Sequence, residues 1–226
     1  MIKVELHAHT SDDPGDRVPH HTPALLEHAA RFGYGALAIT LHNRWFDPAP
    51  LAERAAALGI VLMSGIEKTI DGKHLLLINV PRAADDLRSF DDVRALKARV
   101  PEALVVAPHP FYPISSALGA RLDSLVDVVD AVEINAMYTR ALDFNRRARA
   151  WAARHGKALV GNTDLHRLDQ MGTTWSEVDA PADADAICAA IRAGHVVVRS
   201  QPISWPRALW TMARMELGGL GRRRQR

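Results

Sequence analysis

The stretch Ile2–Asp13, "IKVELHAHTSDD", decides how the rest of the chain is read. Its apolar and polar residues alternate up to His9, the period of a half-buried strand. His7 and His9 are two residues apart, so on an extended strand both imidazoles stand on one face. The strand then gives way to a polar loop with Asp12 and Asp13. Such an H-x-H pair grips an ion only if other parts of the chain bring ligands to the same place, so the remaining strand ends carry the question.

Apolar strand-like runs alternate with helical patterns along the chain. "TPALLEHAARFG" reads as a helix with Thr22 as N-cap, Pro23 in its first turn and Gly33 as its stop. "GALAITLH" reads as a buried strand, "APLAERAAALG" as a helix and "IVLMSGIE" as a strand. "KHLLLINV" returns after the turn "DGK", so residues 66–80 are expected to contain a hairpin. A helix over "SFDDVRALKARV", strands over "ALVVAPHP" and "DAVEINA", and a long helix over "TRALDFNRRARAWAARHG" follow. "KALVGNTDLH" is a strand, "DADAICAAIRAG" a helix, "HVVVRS" a strand and "PRALWTMARMELG" a last helix. Strands alternating with helices imply βαβ units and a mostly parallel sheet. Seven or so such units, without a linker-like stretch, predict one α/β domain, a distorted seven-stranded (β/α) TIM-like barrel. It is assigned residues 1–217 including the C-terminal helix, and 218–226 are read as a basic, disordered tail.

Composition narrows the setting. The chain has 226 residues, 48% of them hydrophobic, and a formal net charge of +2. Nothing global points to an acidic partner, so no nucleic acid is expected. A single cysteine, Cys188, allows no internal disulfide and is assigned to the core. No apolar signal segment precedes the first strand, and no apolar run is long enough to span a bilayer. A cytoplasmic protein without membrane contact is expected. Trp205, Trp210, Met212 and Met215 form an apolar stripe on the last helix, covering the barrel or forming a dimer contact, so a monomer or homodimer is expected.

Histidine is the outlier, with eleven residues against three tyrosines and five phenylalanines. His7 and His9 close the first predicted strand, His42 the second and Glu67 the third. His74 opens the hairpin return beside Glu67, His109 closes "VVAPH", and Asp164 and His166 close "GNTDLH". In a (β/α) barrel the C-terminal strand ends form one rim, where active sites lie. Imidazoles and carboxylates converging there suit Zn, Fe or Mn, and their number suits two or three ions. His20, His21, His28, His155 and His195 lie off this pattern and are assigned structural roles. Glu133, in "VEIN", falls late on a strand, within reach of the rim or of a ligand histidine behind it.

"ELHAHTSDD", "AITLHN", "SGIEKT", "KHLLLI", "APHP", "VEIN" and "GNTDLH" resemble, in order, the motifs of the PHP (polymerase and histidinol phosphatase) superfamily. The resemblance implies a metal-dependent phosphoesterase built on a distorted seven-stranded barrel. It implies one divalent ion on His7, His9, Glu67 and Asp164, and a second sharing Glu67 with His74 and His109. A third would take His42, His166 and a loop ligand, Asp12 or Asp13. Two departures stand out: Glu5 replaces the usual aspartate of "DLHxH", and Leu41 replaces the acid of "TDH". Leu41 removes a carboxylate expected to orient a ligand histidine, which would weaken the third ion.

The expected reaction is hydrolysis of a small phosphorylated substrate by a metal-activated hydroxide near Glu67, with Asp164 or His166 managing protons. Arg17, Lys68, Arg140 and Arg167 follow strand ends closely enough to meet a phosphate. Two alternatives stand beside it: amidohydrolase-type cleavage of a carbon–nitrogen bond, and a regulatory module that has lost catalysis.

Overall fold

The structure, a computed structural model, describes residues 1–220, with all side chains except those of 212 and 214–220. The elements run β1 (Ile2–Ala8), α1 (Thr22–Arg31), β2 (Ala36–Ile39), α2 (Ala52–Ala57), β3 (Val61–Met63), β4 (Gly65–Ile70) and β5 (Lys73–Ile78). Then come α3 (Phe90–Arg99), β6 (Leu104–Ala107), β7 (Ala131–Asn135), α4 (Asn145–His155), β8 (Ala158–Asn162) and β9 (Thr174–Val178). The chain ends with α5 (Ala184–Arg192), β10 (Val196–Ser200) and α6 (Trp205–Leu220).

The distorted seven-stranded barrel expected from the sequence is not what forms. Two five-stranded sheets carry the fold, ordered β10-β9-β1-β2-β3 and β4-β5-β6-β7-β8. The central pairs β1–β2, β2–β3, β6–β7 and β7–β8 are parallel, as the βαβ pattern requires. The hairpin β4–β5 and the pairs β1–β9 and β9–β10 are antiparallel, and they break the repeat. Isolated bridges join the sheets at the rim, Ala8 to Leu165 and His42 to Glu67. These bridges fall on the motif segments, so the rim is continuous even where the ladders are not.

Local chemistry explains most boundaries. The expected hairpin is present, and its two-residue turn, Asp71–Gly72, has both φ values positive (49° and 72°), the conformation of the tight turn that matches strand twist. Ser89 and Asp92 cap α3 reciprocally. α1 is capped by His21 rather than Thr22: the His21 side chain accepts the Ala24 amide, which moves the cap one residue earlier. "IVLMSGIE" is two strands, since β3 ends at Met63 and β4 starts in the other sheet. The long helix expected from Thr139 begins only at Asn145, because Leu142 turns back to bond the Thr139 hydroxyl and Thr139 the Leu142 carbonyl.

Strand β9 was not anticipated. Its sequence, "TWSEV", buries Thr174 and Ser176 beside Val178, so its inward face is largely polar. Ser176 Oγ takes the Gly161 amide at 2.7 Å, and a Cβ on Gly161 would sit 2.7 Å from the Trp175 carbonyl. Only glycine lets β8 approach β9 so closely.

Three apolar clusters fill the interior, one of them built around β5, β6 and β7 with α3 and α4. Cys188 is fully buried in another, as expected. Of the stripe on α6, Trp205 and Trp210 are 49% and 56% exposed, while Ala208 and Thr211 face inward. The side chains of Met212 and Met215 lie outside the described residues, as does residues 221–226 of the basic tail. No helix among the described residues is long and apolar enough to cross a membrane.

Candidate metal centre

Glu67 is the hub. It lies on β4 at the bridge to His42, 1% exposed, and meets five imidazoles within hydrogen-bonding or ion-pairing reach. Its Oε2 lies 3.3 Å from His7 Nε2, 3.4 Å from His9 Nε2 and 3.1 Å from His42 Nε2. Its Oε1 lies 2.6 Å from His74 Nδ1 and 3.3 Å from His109 Nε2. Asp164 Oδ1 stands opposite, 3.3 Å from His7 Nε2, 3.6 Å from His9 Nε2 and 3.4 Å from His166 Nδ1.

These separations have a simple meaning. Ligand atoms bound about 2.0–2.2 Å from one ion lie roughly 3–3.5 Å from each other. Four sets whose ligand atoms lie within 4.8 Å of one another occur among the described residues: His7/His9/Glu67, His7/His109/Asp164, His42/Glu67/His74 and His9/His42/His166. The Nε2 atoms of His7 and His9 are fully buried and make no hydrogen bond. A buried polar atom without a partner costs free energy unless something else satisfies it. The donor set, mixed imidazole and carboxylate, fits divalent Zn, Fe or Mn.

The backbone pays into this arrangement. His109 and Asp164 hold φ at 31° and 55°, unusual for residues with a Cβ, and both sit just past a strand end where the side chain must turn inward.

A layer of carboxylates fixes the rings from behind. Glu133, on β7 and fully buried, accepts His7 Nδ1 at 2.8 Å and the His109 amide at 2.6 Å. Asn162 and Asn135 donate to the same carboxylate. Asn135 is therefore a support rather than a surface contact. Glu5 accepts the amides of His7 and Thr163, tying β1 to the end of β8. Burial pushes its pKa up to about 8.

Charge balances across the centre. Burial alone would raise the Glu67 carboxyl, but His7, His109 and His74 outweigh it and hold it well below the usual range. Burial opposes charge on His7, yet Asp164, Glu133 and Glu67 keep its pKa well above normal. His42 is likewise pushed up to about 9, chiefly by Asp13 and Glu67 against burial. Protons thus collect where positive charge is favoured, and metal ions compete with protons for such ligands.

The loop after β1 sorts its aspartates. Asp12 is exposed, and its carbonyl accepts Arg44 Nη1 at 2.9 Å. Asp13 is buried, but its oxygens contact His9 and His42 at Nδ1, the ring edge away from Glu67. Asp16, absent from the sequence reading, reaches His166 Nε2 at 3.0 Å and His42 Nδ1 at 3.9 Å. Only its place in a folded loop reveals it; no strand periodicity leads there. Leu41 is buried among core side chains.

The anticipated phosphate cations are scattered. Lys68 follows Glu67 on β4 and so faces the other way, with Nζ bound to the Asp85 carbonyl at 2.7 Å. Arg140 lines a groove of about 500 Å³ with Trp205 and Pro206. Arg167 pairs with Asp169 at 3.6 Å, and Arg17 is exposed on the β1 loop. Arg44 is a further rim cation, two residues from His42. Of the histidines assigned structural roles, His20 proves a support: its Nε2 donates to the His9 carbonyl at 3.0 Å.

A family model described as PHP-associated matches residues 143–196. No curated protein matches the chain. PsfC from Pseudomonas syringae PB-5123 shares the fold with a TM-score of 0.72 at 17% identity, covering 96% of this chain and 98% of its own. A candidate metal-dependent phosphoesterase from Bifidobacterium adolescentis gives 0.56 at 17% identity, over 73% of this chain and 87% of its own. Endonuclease Q, solved with a 27-mer duplex bearing an abasic lesion at the active site, gives 0.59 at 16% identity; the match covers 85% of this chain but only 56% of the endonuclease. An amidohydrolase from Chromobacterium violaceum, with bound sulfate and no metal, gives 0.52 at 16% identity, over 91% of this chain and 95% of its own. The partial match over residues 143–196 agrees with the family resemblance of the motifs, and the solved structures share the fold.

One expectation falls here. Net charge near zero argued against nucleic acid, but the fold is shared with an endonuclease that holds duplex DNA at its active site. Global charge is a poor guide because a local rim, not the whole surface, meets the substrate.

Proposed function

We propose that this chain hydrolyses a phosphate ester using two or three divalent ions held at the rim. The observation that carries the reading is the pair of buried, unpartnered Nε2 atoms of His7 and His9, aimed at the oxygens of Glu67 and Asp164. His7, His9, Glu67 and Asp164 would hold one ion, and Glu67, His74 and His109 a second. His42 and His166 would hold a third, with Asp16 in the place anticipated for Asp12 or Asp13. Such ions polarise phosphoryl oxygens and lower the pKa of water.

The chain's own residues do the rest. Glu67 spans the positions and balances their charge. Glu133 and Asp13 keep His7, His9 and His42 turned toward it. Asp164 and His166, at the partly exposed edge, are placed to take and return a proton near the ester oxygen. Arg44, anchored by the Asp12 carbonyl, is the rim cation best placed to meet a phosphate. The substrate class is a phosphomonoester or phosphodiester, a nucleic-acid phosphodiester included.

The test is metal analysis followed by assays of p-nitrophenyl phosphate, bis-p-nitrophenyl phosphate and an abasic DNA duplex with Mn, Fe or Zn. Turnover that chelation removes and metal restores supports the reading. A metal-loaded protein inert toward all three, yet active on amides or lactams, would hand the site to carbon–nitrogen hydrolysis, the reaction class of the sulfate-bound neighbour.

A further inference from the structure

We infer that Asp13 is a positioning residue shared by two metal positions: one carboxylate sets the ring orientation of both His9 and His42. The inference rests on the metal reading above, but not on what the enzyme hydrolyses.

The geometry is specific. Asp13 Oδ2 accepts His9 Nδ1 at 2.7 Å, His42 Nδ1 at 3.0 Å and the His42 amide at 3.0 Å. Its Oδ1 accepts the amides of Gly15 at 2.6 Å and Asp16 at 3.0 Å. All five partners are donors toward it, and the residue is 6% exposed. With Nδ1 as the donor on both rings, both Nε2 atoms keep their lone pairs for an ion. His9 Nε2 is the buried unpartnered atom, and His42 Nε2 faces Glu67 at 3.1 Å. The rings stack with centroids 4.6 Å apart and planes 21° off parallel, so they are held as one block.

The loop is shaped for this task. A Cβ on Gly15 would lie 2.8 Å from His42 Cβ, so the loop presses on His42 without intervening space. Leu41, where the family motif has an acid, is packed in the core and offers no oxygen. The loop therefore supplies from Asp13 the carboxylate that Leu41 lacks, and the same carboxylate serves His9. The position containing His9 and the position containing His42 are thereby linked through one side chain.

Asp13→Asn is the discriminating variant. Whichever way the amide turns, its NH2 faces a donor. Wild type, Asp13→Asn and Asp16→Ala would be freed of metal, checked by circular dichroism, and titrated with Mn(II), reading bound metal per chain and the Mn–Mn coupling in the electron paramagnetic resonance spectrum. In Asp13→Asn, two ions are expected to bind about 10–100-fold more weakly, with loss of the coupling. Asp16→Ala is expected to weaken one ion at most. The inference is overturned if Asp13→Asn keeps wild-type affinity, if it weakens a single ion, or if its metal-free form does not fold, which would make Asp13 a loop residue only. A wild type that takes up Mn but hydrolyses no phosphoester fails the proposed function and leaves this inference standing; a wild type that takes up none overturns both.

Discussion

The centre has a floor and an edge, built differently. His7, His9, Glu67 and Glu133 on the floor are 0–1% exposed, and three strands plus Glu133 hold them. The edge side chains are open: His42 is 18% exposed, His74 16%, His166 12% and Asp16 45%. The floor is set by strand register, the edge by a loop and hydrogen bonds. An ion on the floor is expected to be held tightly and an ion at the edge exchangeably, because a preorganised ligand set pays less ordering entropy on binding.

Glu67→Gln would break the comparison most completely, since Glu67 meets His7 and His9 on the floor and His42 and His74 at the edge. It leaves several imidazoles facing a neutral amide. Turnover is expected to fall about 1,000-fold or more, with metal content reduced at floor and edge together. Retention of full metal and near-normal turnover would show that Glu67 bridges nothing.

Glu133→Gln acts on the floor alone. Its partners are the donors His7 Nδ1, the His109 amide and the side-chain amides of Asn135 and Asn162, so an NH2 group must face a donor. Thermal unfolding of the metal-free protein is expected to show a loss of about 1–3 kcal/mol. Floor metal affinity is expected to fall about 10–100-fold, with edge affinity unchanged.

Floor and edge also differ in how far the sequence foretold them. His7 and His9 sit at the end of apolar β1, where period and position mark them, whereas Glu67 lies third in β4 rather than closing a strand. The edge depends on which residues of the thirteen-residue loop 9–21 turn inward, which no periodicity encodes; the sequence leaves Asp12 and Asp13 unseparated, and Asp16 emerges only once the loop is folded against His42. Closure of the sheets failed for a related reason. β9 buries Thr174 and Ser176, so its inward face lacks the hydrophobic signal that marks a core strand, and its antiparallel pairing to β1 was invisible. Arg44 was missed because an exposed arginine looks the same in sequence whether or not a carbonyl anchors it.

The smallest effect tests the join between floor and edge. His20 donates to the His9 carbonyl, and burial lowers its pKa to about 4. Its folded-state pKa lies below the unfolded value near 6.5, so folding favours the neutral ring. The stability this contributes is present above pH 6.5 and lost as pH falls toward 4. His20→Gln keeps a donor for the His9 carbonyl but cannot take up the proton. Metal-free wild type and variant should therefore unfold at nearly the same temperature at pH 7.5. At pH 5 the variant should lead by on the order of 1 kcal/mol, a figure already reduced for solvent screening. Parallel stability profiles for the two proteins would show that His20 does not hold its neutral form, and that the loop end of β1 is looser than its hydrogen bonds imply.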